Sequence, residues 1–192
     1  MLREHTYKIY LGTGFSIQYK GKRYLITNWH VCRRGSETYA LKEQREIKYS
    51  TRVIKEFPLK DLCVMTPVYE GGLEIGEPIK EGYPVYSAGY PATSNGKLLL
   101  TNGIAKRKRY TKLNFDATFD CPKEFKKADS KCVGTFRVQY STLYGWYGQS
   151  GSAVVNSRGK VVGVGNMKDE HDHLGFLPVD SLIDALDSLK TE

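Results

Sequence analysis

Apolar and polar residues alternate in short stretches along this chain, with turn residues between them. The runs 15–19 and 24–27 flank Lys20-Gly21-Lys22, which is the pattern of a β-hairpin. Leu62-Cys63-Val64-Met65 is an unbroken apolar run behind Pro58-Leu59-Lys60-Asp61, so an acid stands at the head of a strand. Ala153-Val154-Val155 is a second β-rich apolar run, and a Gly/Ser-rich turn precedes it. Only the tail changes period. Leu182, Ile183, Leu186 and Leu189 make one stripe at helical spacing, and Asp180 or Ser181 is the expected cap. The 19 Gly, 14 Tyr and 7 Pro among 192 residues suit many short strands joined by turns. The pattern predicts an all-β body with a C-terminal α-helix packed on it.

Three residues at strand edges carry candidate chemistry. Tyr147-Gly148-Gln149-Ser150-Gly151-Ser152 sets Ser150 between small residues on a tight turn. Such a turn exposes a hydroxyl, and its glycines let backbone N–H groups face a substrate carbonyl. An ordinary hairpin turn reads the same way in isolation. His30 stands where the second strand of the first hairpin ends, a place where histidine is more often structural. Asp61 occupies a place where an acid is usually a solvated turn residue. Their conjunction is what departs from chance. A serine hydroxyl is a weak nucleophile that needs a neighbouring base, and the base needs an acid to orient it.

The order His30, Asp61, Ser150, with Thr27-Asn28-Trp29-His30, Asp61-Leu62 and Gly148-Gln149-Ser150-Gly151-Ser152 around them, resembles the chymotrypsin/trypsin clan of serine peptidases. Within it the chain is most similar to HtrA-like (DegP-type) and to viral and phage trypsin-like peptidases. Gly12-Thr13-Gly14-Phe15, Leu25 to Val31, Ser87-Ala88-Gly89-Tyr90-Pro91, Thr101-Asn102-Gly103-Ile104, Val161 to Val164 and Gly175 to Pro178 carry that resemblance; the stretches between are unmatched. The resemblance implies two six-stranded Greek-key β-barrels in one peptidase domain over 1–192. Residues 1–80 would form the barrel with His30 and Asp61, 81–178 the barrel with Ser150, and 179–192 the helix, with 70–84 as the polar linker. It implies Ser150 as nucleophile, His30 as base, Asp61 as its orienting acid, and the N–H groups of Gly148 and Ser150 as the oxyanion hole. No cofactor is required. Gln149 replaces the acid that captures a new N-terminus in trypsin, so neither activation by N-terminal cleavage nor a PDZ module after the peptidase segment is expected.

By position, Tyr144 and Gly145 would form the floor of the specificity pocket, and Asn166, Met167 and Lys168 its walls. An apolar side chain would suit it. Lys168, with His171 or His173, would instead favour an acidic side chain or Gln. Cys32 and Cys63 read as buried thiols. Cys121 and Cys132 bracket an unmatched charged insertion and read as a disulfide, a metal-binding pair, or thiols in a reducing compartment; no histidine cluster or C-x-x-C spacing supports a metal.

Charge widens the picture. The net charge is +8, with basic clusters at Lys106-Arg107-Lys108-Arg109, 20–23 and 123–127. A basic surface attracts nucleic acid, although no motif with stacking aromatics accompanies it. No run is apolar and long enough for a membrane span, and Met1 to His5 lack the apolar core of a signal peptide, so a cytoplasmic protein is expected, in a host cytoplasm if viral. The reading is a serine endopeptidase acting on protein or peptide substrates, in viral or phage processing or in stress or defence proteolysis. The alternatives are a catalytically silent protease fold used for binding, and a basic protease fold that binds nucleic acid.

Overall fold

A 3-10 turn at Arg3–His5 leads into β1 (Thr6–Ile9), and β2 (Gly12–Tyr19) turns through Lys20 and Gly21 into β3 (Lys22–Thr27). Both turn residues have positive φ, 48° and 76°, which gives the two-residue turn whose twist matches its strands. A one-turn helix α1 (Trp29–Cys32) follows, then β4 (Glu37–Lys42), β5 (Arg45–Phe57), β6 (Leu62–Met65) and a two-residue β7 (Leu73–Glu74). The second half runs β8 (Pro84–Gly89), β9 (Leu99–Phe115), β10 (Cys132–Tyr144), β11 (Ala153–Val155), β12 (Val161–Lys168), β13 (His173–Pro178) and α2 (Val179–Ser188). This computed structural model describes residues 1–33, 37–42, 45–68, 71–115 and 121–189; the first residue of the expected linker and the last three of the expected helical tail lie outside them.

Each half closes on itself. β1-β4-β5-β6-β3-β2 form a ring because β1 pairs with both β4 and β2. β10-β13-β12-β11-β8-β9 form the second closed barrel. Closure removes the free strand edges that would invite aggregation. The expected linker is not merely polar coil. Its β7 adds in parallel to β2 through Ile17 and Leu73, and Ile75 bridges to Val161 of the second barrel.

Phe15, Ile17, Leu25, Ile26, Val64 and Met65 fill the first barrel, and Val85, Leu143, Val154, Val162 and Phe176 the second. The first cluster continues without a break into Ala153, Val155, Val161 and Val164 of the second barrel and Leu182, Ala185 and Leu186 of α2. The helix stripe therefore packs as its period predicts. Its cap differs: Pro178 is the N-cap, and Asp180 lies inside the first turn, bonded to Arg137. Proline ends the strand and leaves the helix to start at Val179, so neither Asp180 nor Ser181 is available as cap.

The cysteine expectation needs correction. Cys32 and Cys63 are not thiols but form a disulfide with a Cα separation of 6.4 Å. Thr27 of β3 pairs with Cys63 of β6, and the turn of α1 then folds Cys32 back over that strand. Cys121 and Cys132 form a second disulfide, 5.8 Å between Cα atoms. No helix among the described residues is long and apolar enough to cross a membrane.

β9 and β10 outgrow their barrel. β8 pairs with β9 only over 99–104, and β13 meets β10 only from Gln139 onward. The remaining ladder, from Lys108 and Gln139 out to Phe115 and Cys132, is a two-stranded arm. Its end lies on the first barrel. Phe115 meets Trp29 edge-on at 5.2 Å and stacks on Phe125 at 5.6 Å, and Phe136 closes the cluster. The basic run Lys106 to Arg109 lies exposed along β9, with Arg109 over the Tyr140 ring.

Candidate active site

Asp61 ends the 3-10 turn Pro58–Lys60 in a left-handed conformation, φ 48°, directly ahead of β6. That bend carries its side chain inward, where it is 0% exposed; it is not a solvated turn residue. A buried carboxylate needs hydrogen-bond donors, and this one has three. The His30 backbone N–H donates to Oδ1 at 3.0 Å, His30 Nδ1 lies 2.8 Å from Oδ2, and Asn166 Nδ2 donates to Oδ2. Asn28 holds the same residue from behind, its Nδ2 donating to the Asp61 carbonyl at 3.1 Å. A carboxylate only accepts, so the His30 proton sits on Nδ1 and leaves Nε2 with its lone pair. The disulfide joins the residue two positions after His30 to the one two positions after Asp61. On its other side the His30 ring lies 6.3 Å from the Phe115 ring.

The Ser150 turn is tied down through its carbonyls. Ala92 N–H donates to the Tyr147 oxygen at 2.6 Å and Ser152 N–H to the Gln149 oxygen at 3.0 Å. In a trans peptide the N–H points opposite to its C=O. Those two bonds therefore turn the Gly148 and Ser150 N–H groups the other way, and among the described residues neither has an acceptor. Thr13 of β2 clamps the turn to the first barrel. Its N–H donates to the Ser150 carbonyl at 2.9 Å and its hydroxyl to the Gly148 carbonyl at 2.7 Å. Two glycines are required here. Gly148 has φ 97° and a Cβ would run into the Tyr90 carbonyl; Gly151 has φ 89° and a Cβ would overlap the Thr13 carbonyl. Gln149 is fully buried and turns its Oε1 back to accept the Trp146 N–H at 3.1 Å. The turn thus braces itself from within.

His30 and Ser150 line one cleft with two wings. One wing, about 410 Å³, runs past Lys8, Leu11, Tyr90 and Gly96. The other, about 550 Å³, runs past Leu113, Trp146, Met167, Lys168 and Leu174. The Ser150 hydroxyl donates to the Asn166 carbonyl at 3.2 Å and makes no hydrogen bond to the imidazole. So the structure joins His30 to Asp61 directly and sets Ser150 on the same cleft.

The expected specificity residues divide. Asn166, Met167 and Lys168 line the second wing, but the Asn166 side chain is 2% exposed and belongs to Asp61. Tyr144 is 44% exposed and packs against Trp146, with ring centroids 4.2 Å apart, and Gly145 is buried against Lys168 and Leu174; neither lines the cleft, where Trp146 stands instead. Lys168 is bonded to Asp172, which raises its ammonium above the ordinary lysine value. Sequence reasoning missed Asn166 as a donor to Asp61, Thr13 as a clamp, and Leu113 as a cleft residue. Thr13 lay in a matched motif; Leu113 lay in an unmatched stretch before Cys121, where no pattern pointed to the site.

The fold has well-matched solved relatives. Rv3671c protease from M. tuberculosis, in its active form, superposes with a TM-score of 0.74 at 19% identity, over 97% of this chain and 81% of that one. The MamO protease domain from Magnetospirillum magneticum gives 0.71 at 16% identity, over 96% of both chains. A serine endoprotease from Yersinia pestis gives 0.70 at 17% identity, over 96% of this chain and 62% of that one. No curated protein matches by sequence. Identities this low speak for the fold alone. The sequence itself, over residues 12–164, matches the trypsin-like peptidase domain, and this chain belongs to that family.

Proposed function

We propose that the protein is a serine endopeptidase in which Ser150, His30 and Asp61 act as one unit. The observation that carries the reading is the buried Asp61–His30 pair opening onto the same cleft as Ser150. With a peptide bound, the Ser150 hydroxyl leaves the Asn166 carbonyl and turns to His30 Nε2; catalytic hydrogen bonds of this kind often tighten only in the complex. Ser150 Oγ attacks the scissile carbonyl while Nε2 takes its proton. Asp61 stabilises the imidazolium without itself becoming protonated. The oxyanion accepts hydrogen bonds from the Gly148 and Ser150 N–H groups, each worth about 3–4 kcal/mol by mutational precedent. His30 then protonates the departing amine, and water releases the acyl group by the same steps in reverse. The two open wings on either side of Ser150 suit a chain running through, which favours internal peptide bonds.

The test is fluorophosphonate labelling of wild type and Ser150→Ala, read by intact mass. One adduct on wild type and none on the variant is the expected result. No adduct on folded wild type would sink the reading and favour a binding module built on the same fold.

A further inference from the structure

The wall of the second wing comes partly from the arm. Leu113 leaves the second barrel on the arm's ladder and reaches the pocket that holds His30, Ser150, Met167 and Leu174. Its cross-strand partner is Gly134, where a Cβ would overlap the rings of Phe136 and Phe115. The missing side chain lets those rings pack beneath Leu113. They anchor the arm end to Trp29, the residue before His30, and the Cys121–Cys132 disulfide closes the strand end beyond them. Leu113 is therefore held in place before any ligand arrives, the condition for a subsite that discriminates.

The charges stand on the rim: Lys168 is matched, while among the described residues Asp169 and Glu170 have only His173 and His171 near them, at 3.9 and 3.8 Å. Lys168 is bonded to Asp172, and Asp169 Oδ1 accepts the backbone N–H groups of His171 and His173. Neither histidine lines the wing. What the pocket offers a ligand is the apolar surface of Leu113, Trp146, Met167 and Leu174. A charged side chain set against that surface would lose water and meet no counter-ion among those four residues.

We propose that Leu113 is a specificity-determining residue that selects an apolar side chain in the acyl half of the substrate, beside the scissile bond. This rests on the peptidase reading above. The experiment is cleavage-site profiling of a mixed peptide library by mass spectrometry, with wild type, Leu113→Ala and Leu113→Lys, each also exposed to the fluorophosphonate. Wild type is expected to cut beside apolar residues. Leu113→Ala widens the choice to bulkier apolar residues. Leu113→Lys moves it toward acidic residues, with kcat/KM on an apolar peptide falling roughly tenfold or more. Identical profiles from proteins that all take up the label overturn the role of Leu113 and leave Ser150 as nucleophile. So does a wild-type preference for charged side chains there. A wild type that neither labels nor cuts overturns the peptidase reading, and this assignment with it. If Leu113→Lys does not fold, Leu113→Ala decides alone, and an unaltered profile rejects the proposal.

Discussion

Asp61 shows how much of this site rests on single donors and acceptors. Its carboxylate takes three N–H donors, two from His30 and one from Asn166. Asp61→Asn presents an amide to those donors and disturbs the imidazole tautomer. It should lower kcat by up to about 10⁴-fold while the protein stays folded, measured with active-site-normalised peptide hydrolysis. Asn166→Ala removes one donor to a buried carboxylate, an interaction of about 1.5–3 kcal/mol. Its expected effect is a drop in kcat of roughly tenfold to a hundredfold with KM little moved, and Asn166→Ser, which keeps a donor, should recover part of it. Gln149→Ala leaves the Trp146 N–H without its acceptor, at a cost of about 1–3 kcal/mol in urea unfolding, and slows labelling of Ser150. Because that brace is internal, a chain carrying extra residues ahead of Met1 should label as readily as one without them; a tagged protein that labels only after trimming would contradict this. The three principal residues were legible because each sits in a local motif. The donors around them were not. Asn166 and Asp61 are 105 positions apart in sequence, and only folding brings them together.

At the scale of elements, the disulfide and the arm set the site's frame. Cys32–Cys63 ties α1 to β6 beside the His30–Asp61 pair. Replacing both cysteines with alanine should lower stability by about 2–4 kcal/mol, read as a lower urea midpoint with a larger m, since the unfolded chain loses a cross-link and expands. Activity should fall with it as the pair loses its tether, and wild type kept under strong reductant, which also opens Cys121–Cys132, should lose at least as much. The hairpin 15–27 followed from two β-rich runs around a turn, although both its faces are buried at 15–17 and 25–27, and α2 followed from a stripe that buries one face. The arm did not follow. Residues 106–110 of β9 are exposed on both faces and show no alternation, whereas the facing Cys132, Gly134, Phe136 and Val138 are buried at alternate positions. The cysteine pairing was equally hidden. A spacing of 31 residues says nothing of a strand register that sets Thr27 beside Cys63.

Over the whole molecule, two barrels share one core. The cluster that starts with Phe15 and Leu62 runs into Val155, Val161 and α2, and Thr13 pins the Ser150 turn across the boundary. Halves coupled in this way should unfold together, so urea titrations followed by fluorescence and by far-ultraviolet circular dichroism should coincide. Two separated transitions would show that the barrels are independent and that the cleft between them is loosely held.

Local pattern was enough for the all-β body, its C-terminal helix and the candidates His30, Asp61 and Ser150, and motif resemblance for the family. These follow from short-range patterns: alternation, turn glycines, and side chains that chemistry needs next to particular neighbours. What surrounds them came from packing: the donors that hold Asp61, the two disulfides, the carbonyl ties that free the Gly148 and Ser150 N–H groups, and Leu113 in the cleft wall. Those contacts join strands remote in sequence. Their register is set by how side chains fill a closed barrel, and that is a property of the packed whole rather than of any local stretch.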